Sequence, residues 1–338
     1  MNINVGIAGL GRLGSVHARN ICNKIQGATL TAACSLEERE LAFASKELGV
    51  NNVYKDYNKM LENANIDAVV IVTSSGEHCW QIEAALNAGK HVFCDKPLGV
   101  NVDECKKVEK TVEKYPKQVF FLGFMRRFDP SYAYAKQKID AGLIGTPYLI
   151  KATGIDPETL VEGTIKFSET SGGIFIDAAS HDIDLMRWFL NAEPVEVYAA
   201  GCSFKHPEFI KYNDCETGCA LLKFDNGSMG QMHVGRTAAH GYHIETEIIG
   251  TEGSIRIGSV PEKNQATLYN RSGVVKECVE SFPERFAEAY ILEMQEFIDC
   301  ISEGRKPSVS AHDGTRTTQA TFAASQSFKQ QCVIAIDN

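Results

Sequence analysis

Short, almost wholly apolar runs alternate with amphipathic stretches through the first 122 residues of the chain. The apolar runs, at 4–8, 29–34, 68–73, 91–94 and 119–122, have the length of strands. The stretches between them, at 13–24, 37–48, 78–88 and 102–114, repeat their apolar positions with helical spacing. Ala68-Val69-Val70-Ile71-Val72 has no polar position at all, which suits a strand covered on both faces. Gly89 follows one helical stretch directly, as a left-handed C-terminal cap does. Strands alternating with helices predict βαβ units wound around a parallel sheet.

The pattern changes after residue 122. Asp225-Asn226-Gly227 separates Leu221-Leu222-Lys223-Phe224 from Ser228-Met229-Gly230-Gln231-Met232, and Asn-Gly between strand-like runs signals a hairpin. Further strand-like runs at 148–154, 243–249, 254–257 and 266–268 are framed by helical patterns at 130–141, 177–190, 286–303 and 315–330. The expectation is an α/β chain in two parts. Residues 1–122 form a doubly wound parallel sheet of Rossmann type. Residues 123–338 form an α+β domain with a large open, mostly antiparallel sheet. Leu221, Met232, Ile248 and Ile257 are expected on the outward face of that sheet, where an apolar patch would mark an interface.

Composition narrows the classes. A chain of 338 residues with 44% hydrophobic and 23% charged residues builds ordinary globular cores. A net charge of -9 argues against nucleic-acid binding, which requires a basic patch. The eleven cysteines include no Cys-x-x-Cys, so reduced thiols are expected, with Cys215 and Cys219 buried in a strand. No secretory signal pattern and no long apolar span are evident, so a cytoplasmic protein without membrane attachment is expected. No His, Cys and carboxylate set has convincing zinc spacing, so no metal is expected.

The first strand runs into Gly9-Leu10-Gly11-Arg12-Leu13-Gly14, a G-x-G-x-x-G that opens a helix. In that context the glycines permit a tight turn, close approach to a pyrophosphate and close helix–strand packing. The helix N-terminus, with Arg12 and Leu13, supplies free N–H groups to phosphate. Where a ribose-binding acid usually closes the second strand there is Ser35, and the first acids after it are Glu37 and Glu38. Serine removes the carboxylate that repels a 2′-phosphate, but the two glutamates would repel it, and the reading is NAD. Asp95-Lys96-Pro97 closes a strand on the sheet edge where ligands sit, with Lys96 facing the nicotinamide side. Thr73, Ser74 and His78 are candidates to line that side as well.

In residues 172–189, Gly-Gly-Ile-Phe-Ile-Asp-Ala-Ala-Ser-His-Asp-Ile-Asp-Leu-Met-Arg-Trp-Phe, Asp177, His181 and Asp184 recur at helical spacing beside Ile183, Met186 and Phe189. Asp182 and Asp184 are read as solvated or capping groups. Four motifs in order, GLGRLG, DKPLG, GFMRRFDPSY and GGIFIDAASHDID, resemble the inositol dehydrogenases of the glucose–fructose oxidoreductase/inositol dehydrogenase/MocA family from end to end. The resemblance implies that the family's lysine falls on Lys96, its acid on Asp177 and its histidine on His181. It also implies NAD, an inositol ring as substrate, a Lys96-Pro97 bond that is often cis, and a homotetramer. The departures are Asp95 for the usual Glu and Ser35 for the frequent Asp. Oxidation of a secondary alcohol needs a base, and an imidazole suits that role at His181. Arg127, Asp156 and His240 lie in segments that bind substrate in relatives. Another sugar or polyol dehydrogenase of the family, and a non-catalytic dinucleotide sensor, are the alternatives.

Overall fold

The computed structural model describes residues 2–259 and 261–337. The chain opens with β1 (Ile3–Ala8), α1 (Arg12–Asn23), β2 (Ala28–Cys34), α2 (Glu38–Glu47), β3 (Asn52–Tyr54) and α3 (Tyr57–Asn63). It continues with β4 (Ala68–Ile71), α4 (His78–Asn87), β5 (His91–Asp95), α5 (Val102–Lys114) and β6 (Phe120–Gly123). Then come α6 (Pro130–Asp140), β7 (Pro147–Pro157), α7 (Val161–Ser171), α8 (Ile174–Asp177), α9 (Ser180–Leu190) and β8 (Pro194–Cys202). Strands β9 (Thr217–Phe224), β10 (Met229–Ala238), β11 (His243–Gly250), β12 (Ser254–Ser259), β13 (Leu268–Asn270) and β14 (Gly273–Val275) follow. The chain ends with α10 (Phe282–Arg285), α11 (Ala287–Glu303), α12 (Ala311–Gln330) and β15 (Ile334–Ala335).

Two compact units result: Met1–Asp129 with Glu288–Thr318, and Pro130–Ala287 with Gln319–Asn338. The first boundary lies seven residues beyond the one expected from sequence, and the first unit also takes a segment from late in the chain. The reason is an open sheet face. The six strands run parallel in the order β3-β2-β1-β4-β5-β6, the doubly wound arrangement. Alternate residues of β4 enter separate cores. Val69 and Ile71 meet Met60, Ile82, Leu86 and Val108 from α3, α4 and α5. Ala68 and Val70 share the other core with Ala18 and Ile21 of α1 and with Phe93 and Phe121. Met294, Phe297 and Ile298 of α11 complete that second core, and burying each such side chain contributes about 1.5–3 kcal/mol.

That same face carries a polar pair shut off from the protein surface. His17 of α1 and Glu293 of α11 are fully buried, with His17 Nε2 3.8 Å from Glu293 Oε1. None of their four polar atoms has a hydrogen-bond partner among the described residues. Phe93 and Tyr290 flank the imidazole, with ring centroids 5.4 and 5.5 Å away. Burial lowers His17 to about 4, so it is neutral. Burial, with the nearby Asp95 carboxylate, pushes Glu293 well above the usual carboxyl range. A carboxyl that holds its proton more tightly when folded favours the folded state at low pH. That contribution is lost as pH rises from the ordinary carboxyl value towards the folded one. Glu293→Gln should therefore gain stability relative to the parent as pH rises from 5 to 8, measured by urea unfolding. A difference that stays flat across that range would contradict a protonated Glu293.

In the second unit seven strands follow the order β12-β11-β7-β10-β9-β8-β15, antiparallel except for the β7–β10 pair. The hairpin at Asp225-Asn226-Gly227 joins β9 and β10 as expected, with Met229 opposite Lys223. The expected strand at 266–268 is instead β13, paired only with β14 in an exposed two-stranded ribbon. The outward face also differs from expectation. Met232, Ile248 and Ile257 are buried on the inner side, and of the four residues named only Leu221 is exposed. Pairing places Tyr198 opposite Leu221 and Met229 opposite Lys223, so these share the outer face with Glu196 and Gln231. Cys219 is exposed on that face, not buried, whereas Cys215 is buried, and all eleven cysteines are free thiols.

No described helix is long and apolar enough to cross a membrane. No group of three or more His, Cys, Asp or Glu among the described residues is arranged to hold a metal ion.

Candidate active site

The first unit supplies a dinucleotide cradle. Gly9 has φ +86°, and a Cβ there would lie 2.4 Å from the Val72 carbonyl oxygen. A Cβ on Gly14 would lie 2.1 Å from the Gly9 carbonyl oxygen, so only glycine lets α1 pack this close to β1. Gly11 is different. It is exposed, and the nearest atom to a Cβ there would be Glu40 Oε1 at 3.9 Å. The second glycine thus faces open space beside the start of α1, whose N-cap at Gly11 makes no side-chain hydrogen bond. Arg12 and Leu13 form the first turn of that helix. A helix N-terminus beside the unfilled space at Gly11 is what a pyrophosphate requires, so the cradle fits NAD.

Two strand ends complete this side. Thr73 donates through Oγ1 to Gln81 Oε1 at 2.6 Å, and Ser74 is exposed at the head of the 3₁₀ turn Ser75–Glu77. His78 is buried between two carbonyl oxygens, with Nδ1 2.7 Å from Pro97 O and Nε2 3.1 Å from Thr73 O. Burial lowers its pKa, although both carbonyls pull the other way. The ring thereby links the exit of β4 to the Lys96-Pro97 segment, whose peptide bond is cis. Lys96 is half-buried at the end of β5. Asp95 beside it is pushed up to about 6 by desolvation, against the pull of the Lys96 ammonium group. Arg127 is buried and tied within this unit, donating to Asp313 Oδ1 at 2.9 Å and to Ser308 O at 3.3 Å. These bonds anchor the turn Met125–Phe128 to the start of α12.

In the second unit the expected continuous helix at 177–190 is interrupted. Asp177 ends α8, and His181 is the second residue of α9. Ala178 and Ala179 between them keep right-handed helical dihedrals, so the two residues remain about one turn apart. Both are half-buried. The apolar side of α9 has a plain packing role: Ile183, Met186 and Phe189 are buried, and the Met186 sulfur sits over Gly230 of β10, within 2.5 Å of where a Cβ would be. Phe175 of α8 packs over Gly218 of β9 in the same way. Asp182 and Asp184 are buried, not solvated. Asp184 lies 3.9 Å from Arg187, which also donates to both carboxylate oxygens of Glu193 at 2.7 and 2.8 Å.

The start of α8 is held by a buried ion pair that the sequence reading did not find. Asp214 Oδ2 accepts from Arg236 Nη1 at 2.7 Å, and both side chains are almost fully buried. Asp214 Oδ1 accepts from the Ile174 and Cys215 backbone N–H groups, each at 2.8 Å. Arg236 donates also to Ser168 Oγ of α7 and lies over the Phe209 ring. Gly172 and Gly173, both with positive φ, turn the chain between α7 and α8, and Gly173 leaves room for the Asp214 carboxylate. Asp156 is half-buried near the end of β7. His240 is exposed, with Nε2 3.3 Å from His243 Nδ1, beside a cleft lined by Glu158, Lys263, Lys276 and Cys278.

Residues 3–124 match the model described as an oxidoreductase family with an NAD-binding Rossmann fold, and residues 132–256 match the GFO/IDH/MocA C-terminal domain. The chain belongs to the GFO/IDH/MocA family. It is therefore an oxidoreductase, and its cofactor is NAD. Among relatives of this family, the scyllo-inositol 2-dehydrogenase (NAD(+)) of Bacillus subtilis is 36% identical over 99% of this chain and 96% of its own. The crystal structure of scyllo-inositol dehydrogenase from Lactobacillus casei, with bound NAD(H) and scyllo-inositol, is 45% identical with a TM-score of 0.97 and covers 99% of both chains. That of myo-inositol 2-dehydrogenase from Lactobacillus plantarum is 40% identical with a TM-score of 0.97 and covers 100% of both.

Proposed function

We propose that this protein oxidises one ring hydroxyl of an inositol to the ketone. The observation that carries the reading is the end-to-end likeness to inositol dehydrogenases, in a chain whose sequence carries all three of Lys96, Asp177 and His181. NAD, when bound, accepts the hydride that leaves the carbinol carbon. His181 takes the hydroxyl proton, so that carbon and oxygen each lose one hydrogen and the C=O bond forms. Asp177, one turn earlier, orients the imidazole and stabilises its charged form. Lys96 donates to the reacting oxygen and favours its alkoxide character. Asp156, His240 and Arg127 are assigned to hydroxyl recognition around the ring. A site that bonds each hydroxyl rejects analogues lacking one, because its own polar groups are then left unpaired.

The test crosses NAD and NADP with scyllo-inositol, myo-inositol and glucose, following reduced nicotinamide by absorbance. Reduction of NAD by an inositol supports the reading, and the preferred isomer names the substrate. Reduction by glucose alone makes the chain a sugar dehydrogenase. Dinucleotide binding with no turnover of any polyol makes it a sensor.

The protein is further proposed to act in the cytoplasm as a homotetramer. Tyr198, Leu221 and Met229, 44–58% exposed on one sheet face, give such an assembly an apolar surface to cover. Light scattering at micromolar concentration should return four times the chain mass, and a monomer would defeat the assembly.

A further inference from the structure

The end of β2 lacks the carboxylate that a Rossmann domain usually offers to the adenosine ribose, since Ser35 stands there. The structure puts a carboxylate beside it from elsewhere. Glu40, in the first turn of α2, reaches back so that its Oε2 accepts from Ser35 Oγ at 2.6 Å. The same oxygen accepts from the Leu10 backbone N–H, inside the glycine-rich turn, at 3.3 Å. Its other oxygen, Oε1, lies on the Gly11 side, 3.9 Å from where a Cβ on that glycine would be. Ser35 is itself fixed, because its Oγ accepts from the Glu37 backbone N–H at 3.1 Å. The neighbouring acids are not held in this way. Glu37 and Glu38 are exposed, and the Glu38 side chain pairs with Lys55.

We infer that Glu40 is the residue that selects NAD over NADP, taking from a helix the role that a strand-end aspartate usually has. The Glu side chain, longer by one methylene, spans the offset between α2 and the end of β2. Oε2 is committed to Ser35 and Leu10, which fixes the carboxylate plane. Oε1 then faces the side of the glycine turn that a dinucleotide approaches, where it accepts from the ribose hydroxyls. A 2′-phosphate at that place meets a fixed negative charge and leaves only the 3′-hydroxyl to donate in return. Ser35 acts as a positioning residue through Glu40. The inference concerns the dinucleotide alone and does not depend on which alcohol is oxidised.

Calorimetric titration of NAD and of NADP, without substrate, tests it in the parent, Glu40→Gln, Ser35→Ala and Glu38→Gln. The parent should bind NAD far more tightly than NADP. In Glu40→Gln the ratio of the two dissociation constants should fall by about tenfold or more, the scale of one charge-assisted contact. The fall should come from tighter NADP binding as well as weaker NAD binding. Ser35→Ala, which unhooks the carboxylate from β2, should move the ratio in the same direction and serves alone if Glu40→Gln does not fold. Glu38→Gln should leave it unchanged, and melting without ligand checks that each variant is folded. A ratio that moves by less than about threefold in both the Glu40 and Ser35 variants overturns the inference. An equal shift in Glu38→Gln also overturns it, because the effect would then be general charge rather than a held carboxylate.

Discussion

His181→Ala is expected to lower turnover of NAD and inositol by about 10²–10⁴-fold, the usual contribution of a positioned general base. The expectation rests on place as well as residue type. His181 sits in the first turn of α9, half-buried, while the opposite side of that helix is packed on the sheet through Ile183 and Met186. Its C-terminal end is tied by Arg187 to Glu193. A helix fixed on one side and at one end holds the imidazole with little freedom, which is what a base must have to meet a hydroxyl proton in the transition state. Since the glycine turn and the ends of β4 and β5 lie in the other unit, NAD binding should stay within about threefold of the parent. Steady-state kinetics with a parallel NAD titration separates the two effects. Asp177→Asn should retain more activity than His181→Ala, because the amide still orients the ring but no longer stabilises its charged form. Full activity in His181→Ala would remove the proposed base.

Asp214→Ala should produce the largest loss of stability, about 3–5 kcal/mol, because it leaves a buried guanidinium without its counter-charge. Three donors lose their acceptor at once: Arg236 Nη1 and the backbone N–H groups of Ile174 and Cys215. An unsatisfied buried donor carries its full desolvation penalty. The damage should also reach the chemistry, since Ile174 begins the short helix that ends in Asp177. Asp214→Asn keeps an acceptor oxygen for the backbone groups and loses only the charge, so it should fall between the parent and the alanine variant. Removing both partners, as Asp214→Leu with Arg236→Met, should cost less than the sum of the single changes. Urea unfolding measures each of these variants, and a loss below about 1 kcal/mol in Asp214→Ala would mean that the pair does not hold the start of α8.

How much of this was legible without the structure depends on the reach of each interaction. The parallel sheet could be read from runs such as Ala68–Ile71 because a strand covered on both faces has to be apolar at every position. The glycine turn and the β9–β10 hairpin could be read because their backbone geometry is dictated by residues adjacent in the chain. Lys96, Asp177 and His181 came from ordered motifs, and the structure keeps the last two about one helical turn apart. The break at Ala178-Ala179 left no local mark, since neither alanine disfavours a helix. Asp182 and Asp184 looked like solvent groups because burial is a property of what packs against them, and Arg187 with Glu193 lies beyond any helical repeat. Met232, Ile248 and Ile257 were assigned to the wrong side for a related reason: alternation along a strand says which residues share a face, not which face is covered.

The sequence by itself determined the elements, the dinucleotide turn and the family, because these rest on backbone preferences and spacings within a few residues. Tertiary structure alone decided that α11 closes the second face of the parallel sheet and that Arg236 sits under α8 through Asp214. It also decided that the carboxylate beside Ser35 comes from Glu40. Each of these joins groups whose encounter is fixed by packing or by the reach of a side chain, and no periodicity along a single strand or helix encodes that meeting.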